Sequence, residues 1–254
     1  MKRLYLPLLL AAGLAGFAAQ ANAAEGAKLE TQKWSWQGIF GTYDRAAQQR
    51  GVQVYKEVCS ACHSMNLVAY RHLGQVGFSP EQIKAIAADK TVKDGPNDQG
   101  DMFERPARAS DRFVAPFAND NAARAANGGA LPPDLSLMNK ARVGGPDYVY
   151  SLLVGYQDAP SGTVVPPGMY YNKVFPGHLL AMAPPLSEGG VTYSDGTANT
   201  VPQMARDVVT FLNWAAEPEL EERKQSGIKT MLFLIVLTGM LYALKRQIWR
   251  KVAH

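Results

Sequence analysis

Cysteine is nearly absent: the 254 residues contain two, at positions 59 and 62. Two thiols three positions apart exclude a disulfide framework, and a chain of this length can bury a core without one. Glycine-rich nucleotide fingerprints are missing too, with neither a Rossmann nor a P-loop pattern, and there is no internal repeat. Histidine is scarce. Of the four, the three besides His63 show none of the paired spacing a zinc site needs. Basic excess is absent from the body of the chain. The formal net charge is +4, but eight of the 26 Lys and Arg lie in the leader or at and after Lys224. That leaves 18 against 22 acidic residues, a net of −4, so the basic pI reports membrane topology and gives no reason to expect nucleic acid.

Two apolar runs frame the chain. The first follows Lys2 and Arg3, extends from Leu4 to Ala19 and ends in "ANA". This is the pattern of an export signal, residues 1–23, with cleavage expected after Ala23. The second, Gly227 to Leu244, has 18 residues. As a helix at ~1.5 Å per residue it is about 27 Å long, close to a hydrocarbon core of about 30 Å. Lys245, Arg246, Arg250 and Lys251 crowd its far end, which the positive-inside rule places in the cytoplasm. The expected organisation is an exported domain at 24–226 and a transmembrane anchor with a short tail at 227–254, held in a bacterial inner membrane.

Between the runs the pattern is mainly α with long loops. Val52, Tyr55 and Val58 fall at helical spacing within 43–61. Ser79 and Pro80 open a short helix, and Pro146 and Gly155 bound another. The strongest helix begins near Thr200, carries Val208, Phe211 and Leu212 on one face, and is stopped by Pro218. Residues 93–130 read as loop with a helical turn at "NDNAARAAN"; 155–200 read as loop with a small hairpin at "SDGT". Loops this long in a compact domain call for a reason, and a large buried prosthetic group supplies one.

The motif Cys59-Ser60-Ala61-Cys62-His63 names that group. Two thiols on one helical turn can each add across a porphyrin vinyl group, and the adjacent imidazole can then ligate the iron. C-x-x-C-H is the attachment signature of c-type haem. A redox dithiol would need a thioredoxin-like pattern nearby, and a disulfide would leave His63 unexplained. The second axial ligand is a histidine or methionine. His72 is close behind His63, and His178 is a further candidate. Met182, in "LLAMAPPLS", has small neighbours and two stiffening prolines; Met169, in "VPPGMYYN", is the runner-up. Met102, Met138 and Met204 remain, the last most simply as core.

With those residues in view, the chain resembles the cytochrome c1 family, haem subunits of the cytochrome bc1 complex. The segments that carry the resemblance are "CSACHSMNLVAYRHL", "DGPNDQGDMFERP", "AARAANGGALPPDLS", "GGPDYVYSLLVGY", "AMAPPLSEG" and "MARDVVTFLNWAAEPELEERK". It implies a class I cytochrome c-like haem domain carrying one haem c. Cys59 and Cys62 would be its covalent anchors, His63 and Met182 its axial ligands, and Arg124 a partner of its propionates. It also implies electron transfer from a Rieske iron–sulfur protein to cytochrome c, with cytochrome b as a further partner in a dimeric complex, the haem domain lying on the periplasmic side. The chain would be no enzyme on its own. Two acidic runs, Asp94, Asp98, Asp101, Glu104 and Glu217, Glu219, Glu221, Glu222, resemble regions that attract a basic cytochrome. Some bacterial relatives carry an extra disulfide, and this chain has no cysteine to form it. Rigidity between Gly155 and Pro176 must then come from proline and packing. The rival readings are a haem carrier of another complex, a peroxidase-like enzyme with an open iron position, and a dithiol protein without cofactor.

Overall fold

The computed structural model describes residues 28–251, so the expected signal segment at 1–23 lies outside it. The head is built on two crossing helices. The first, α1 (Arg45–Glu57), starts where Asp44 Oδ1 accepts from Ala47 N at 3.1 Å, the bond that an N-cap supplies. It buries Ala47, Gly51, Val52, Val54 and Tyr55. Short helices follow: a 3-10 helix (Tyr70–Val76), α2 (Pro80–Ala88), α3 (Asp120–Ala126), α4 (Met138–Ala141) and α5 (Gly145–Val154). Ser79 and Gln82 close a capping box on α2, with Pro80 in its first turn.

The partner of α1 is α6 (Val201–Ala216), capped by Thr200 and buried along nearly its whole second half. The helices approach so closely that a Cβ on Gly51 would stand 2.2 Å from the Asp207 carbonyl oxygen. Beside this contact Arg50 grips the fully buried Asp207 carboxylate through Nε (2.9 Å) and Nη2 (3.0 Å). Tyr55, Phe211, Trp214, Met65, Leu73 and Met204 fill the core around the crossing. Tyr55 meets Phe113 at 5.7 Å and Phe211 at 5.9 Å between ring centroids.

Strand is sparse. An antiparallel pair joins β1 (Thr91–Asp94) to β2 (Phe103–Pro106), and a two-residue pair joins β3 (Tyr170–Tyr171) to β4 (Leu179–Leu180). This bears out the mainly α, loop-rich expectation and corrects two of its details. Segment 93–130 carries a hairpin arm, held where Arg105 bridges Asp94 and Asp111. At "SDGT", by contrast, Asp195 Oδ1 accepts from Thr197 N and makes a turn, but no strands pair across it. Asp195 is spent on Arg50 Nη1, 2.8 Å away.

The last helix, α7 (Leu220–Trp249), runs 30 residues without a break, about 45 Å. It contains the expected span and begins seven residues before it, inside the head. None of the residues of its apolar stretch is buried by the rest of the chain. An apolar helix left bare over that length fits a membrane span.

Candidate haem-binding site

Helix α1 delivers the cysteines. Its α-helical bonds end at Glu57, and Cys59–Ala61 tighten into a 3-10 turn. The expected helix to Ala61 is therefore shorter in its α-helical part. Cys62 N (3.1 Å) and His63 N (2.9 Å) both donate to the Cys59 carbonyl, which folds the three motif residues into one compact turn. Cys59 packs partly against the core and Cys62 is exposed. Burial pushes the Cys59 thiol up to about 12, reinforced by Cys62 beside it. That is opposite to the depressed value a redox dithiol uses.

His63 is oriented by a segment about 70 residues away. Its Nδ1 lies 2.8 Å from the Pro133 carbonyl oxygen. A carbonyl only accepts, so Nδ1 carries the proton and donates, and Nε2 keeps its lone pair. Burial lowers the His63 pKa, opposed by the Pro133 bond and by Asp134, so the ring is neutral near pH 7. The Tyr55 hydroxyl donates to the His63 carbonyl at 3.2 Å. Asp134 staples the two segments together, accepting from Ser64 Oγ (2.8 Å), Asn66 N (2.7 Å) and Ser136 N (2.8 Å). Burial alone would raise Asp134, but these bonds outweigh it and its pKa is lowered. Sequence reasoning missed Pro133 and Asp134. The signal was present: an Asp after two prolines is a natural acceptor for the N–H two residues on.

Met182 belongs to a second substructure. It lies two residues past β4, is half-buried, and its carbonyl accepts from the Tyr156 hydroxyl at 3.0 Å. Asn172, fully buried, holds the preceding loop. It donates to Leu152 O (2.8 Å) and accepts from Val174 N (2.9 Å) and Phe175 N (3.2 Å). This network braces the loop between 155 and 176. His178 turns into the hairpin, with Nδ1 3.1 Å from Asn172 O and its ring stacked on Tyr171. Met138, Met204 and Met65 are buried in the core, and Met102 is exposed on the β1–β2 arm. Arg124 reaches the Gly129 carbonyl at 3.1 Å, inside the segment that continues to Pro133. The structure thus gathers Cys59, Cys62 and His63 in one turn; Arg124 and Met182 sit on separate segments and make no hydrogen bond to it.

The acidic runs differ in use. Asp98, Asp101 and Glu104 are exposed on the β1–β2 arm. In the second run Glu217 pairs with Lys140 (2.6 Å) and Arg223 (3.3 Å), and Glu221 with Arg45 (2.5 Å). Two of the four carboxylates of that run are therefore engaged within the chain, while Glu219 and Glu222 are exposed.

Comparison with known proteins gives the same direction. The profile of the Cytochrome C1 family matches residues 34–252. The chain belongs to the cytochrome c1 family. It is 55% identical to cytochrome c1 of Rhodospirillum rubrum, with 97% of each chain covered. It is 51% identical to cytochrome c1-2, heme protein, mitochondrial, of Solanum tuberosum, covering 87% of this chain and 86% of that one. It is 48% identical to cytochrome b/c1 of Bradyrhizobium diazoefficiens, covering 95% of this chain and 39% of that longer protein. Cytochrome c1 is a haem subunit of the bc1 complex and works in electron transport.

The residues present fit a haem c. A neutral imidazole with Nε2 available sits one residue from two closely held thiols. Large apolar side chains on the segments flanking His63 and Met182 are open to solvent: Leu67, Leu131, Leu137, Val165 and Tyr170. A porphyrin face would cover such groups. No group of three or more His, Cys, Asp or Glu able to hold a metal ion occurs among the described residues.

Proposed function

We propose that the chain carries one haem c, bound through Cys59 and Cys62 and ligated by His63 and Met182. In this reading it takes an electron from the Rieske iron–sulfur protein and passes it to a cytochrome c. When bound, the haem supplies a one-electron ferrous–ferric couple. The chain's own residues decide how that couple is held. Pro133 fixes the His63 tautomer and ring plane through the 2.8 Å Nδ1 contact, the observation that carries the proposal. Met182 offers a neutral, soft thioether, and a His–Met pair raises the potential. With His63 and Met182 both holding the iron, no position would be left for a substrate, and the chain would act as a redox subunit rather than as an enzyme by itself. The Arg124 guanidinium suits the two propionates. Asp98, Asp101 and Glu104, exposed on one arm, suit a basic electron acceptor.

The same reading places residues 24–226 on the periplasmic side of a bacterial inner membrane, with 227–254 as anchor and cytoplasmic tail. Cytochrome b is proposed as the membrane partner within a dimeric complex. The name of the longer relative, cytochrome b/c1, pairs the two proteins and supports this.

The test is a reduced-minus-oxidised spectrum and redox titration of Met182→Leu beside the parent, with a denatured mass of each. The expected outcome is a covalent tetrapyrrole adduct in both and a lowered midpoint in Met182→Leu. An unchanged midpoint removes Met182 from the iron; a parent mass without adduct removes the haem.

A further inference from the structure

The loop before α1 carries two of the most exposed large apolar side chains of the head, Ile39 at 68% and Phe40 at 82%. Neither belongs to the haem site. Both limbs of the loop are tied to the start of α7. Lys224 Nζ donates to Trp36 O (2.5 Å) and to Gly41 O (2.9 Å), closing the loop at its neck. Further along the chain, Tyr43 N donates to Glu221 Oε1 (2.6 Å), and Arg45 pairs with the same carboxylate. The ties therefore step along α7 from Glu221 at residues 43 and 45 to Lys224 at residues 36 and 41. A loop that keeps this direction carries its tip at 37–40 past Lys224, toward the side of the apolar span. The same face of α7 continues to Ile228, half-buried while Gly227 and Lys229 are exposed.

The depth follows from helix rise. Lys224 is three residues before Gly227, about 4.5 Å along the axis at ~1.5 Å per residue. The headgroup layer on each side of the hydrocarbon core is about 5 to 7 Å thick. The Lys224 backbone is thus at headgroup level, and a tip that projects past the neck it holds would reach lower. The loop is also preformed: a Cβ on Gly41 would stand 2.0 Å from the Gln37 carbonyl oxygen, so the turn closes on itself only with glycine there. Trp36, buried, stacks on Trp34 behind it at 4.8 Å. Polar carbonyls and a lysine amine at the neck with apolar side chains at the tip follow the polarity gradient of a bilayer surface. Lys229, exposed two residues past the start of the span, can extend its amine back toward lipid phosphates.

We propose that this loop is a second membrane contact, with Ile39 and Phe40 seated in the headgroup–acyl boundary of the phospholipid bilayer. The contact fixes the tilt of the head relative to the membrane, which a single helix leaves free to swing.

The test uses nitroxide labels in the intact complex, purified through a tag on this chain and reconstituted into nanodiscs of phosphatidylcholine and phosphatidylglycerol. Ile39→Cys and Phe40→Cys are compared with Asp98→Cys as the water control and Leu234→Cys as the lipid control; the labelled parent sets the background. The expected result is a ratio of oxygen to nickel-chelate collisions at 39 and 40 several-fold above that at 98 and shifted toward that at 234. A ratio equal to that at 98 overturns the proposal. So does a label at 40 that is immobilised and shielded from both reagents, because a neighbouring subunit then occupies the place assigned to lipid. Circular-dichroism melts matching the parent show that the labelled chains are folded.

Discussion

Gly51→Ala sets local propensity against packing. Glycine inside a helix costs about 0.5–1 kcal/mol relative to alanine, so α1 considered alone predicts that the substitution stabilises. The crossing with α6 predicts the reverse. The new Cβ would lie 2.2 Å from Asp207 O and 2.7 Å from Phe211 Cβ, against about 3.4 Å for ordinary contact. The helices must separate by about 1 Å, and what blocks them is backbone, which cannot swing aside. Overpacking of this kind costs typically about 1–3 kcal/mol. Here the same displacement pulls Arg50 from the buried Asp207 carboxylate, and a broken buried pair is strongly destabilising. A net loss of about 2–4 kcal/mol is expected, or roughly 5–15 °C in Tm for a domain of this size. The assay is a thermal melt of the detergent-solubilised holoprotein followed by circular dichroism. Gly74→Ala is the control, since its methyl would meet only Ile83 Cδ1 at 3.9 Å and should leave Tm within a few degrees. A Gly51→Ala variant melting at or above the parent would refute the argument that backbone contact decides this crossing. Because α1 runs directly into the cysteine turn, a damaged variant should also lose its low-spin haem spectrum at lower urea.

Two further outcomes follow from the electrostatics. Asp134→Ala removes the acceptor shared by Ser64, Asn66 and Ser136, and should cost about 2–4 kcal/mol, read as a fall in the urea midpoint; an unchanged midpoint would show that the carboxylate does not hold the loop that orients His63. Asp111 is depressed to about 2 by the Arg105 guanidinium, helped by Arg108 N. A depressed folded-state value means its contribution is full above about pH 4 and is lost as pH falls through about 2, so the stability gap between the parent and Asp111→Asn should narrow over that interval; a constant gap from pH 5 to 2 counts against the pair.

Much of this chain could be read before any coordinates. The C-x-x-C-H turn, the apolar C-terminal run and the cap at Ser79 are local patterns, and the structure bears out the mainly α outline they imply. The hairpin arm 91–106 was not legible. Its strands are short and mostly exposed, and they are paired through an Arg105 bridge to Asp94 and Asp111 that no alternation announces. The turn at Asp195 gave a hairpin signal that failed because its carboxylate is drawn to Arg50, 145 positions away.

Sequence by itself determined the chemistry on offer: two thiols and an imidazole on one turn, a set of thioethers, and an apolar segment long enough to cross a bilayer. Tertiary structure decided which nitrogen of His63 is free, because that depends on a carbonyl about 70 residues distant. It also decided that Gly51 is a contact point and that Lys224 ties the 36–41 loop to the start of α7. Short-range preferences are set by neighbours in the chain, whereas hydrogen-bond partners and close approaches are set by whatever the fold brings within about 3 Å.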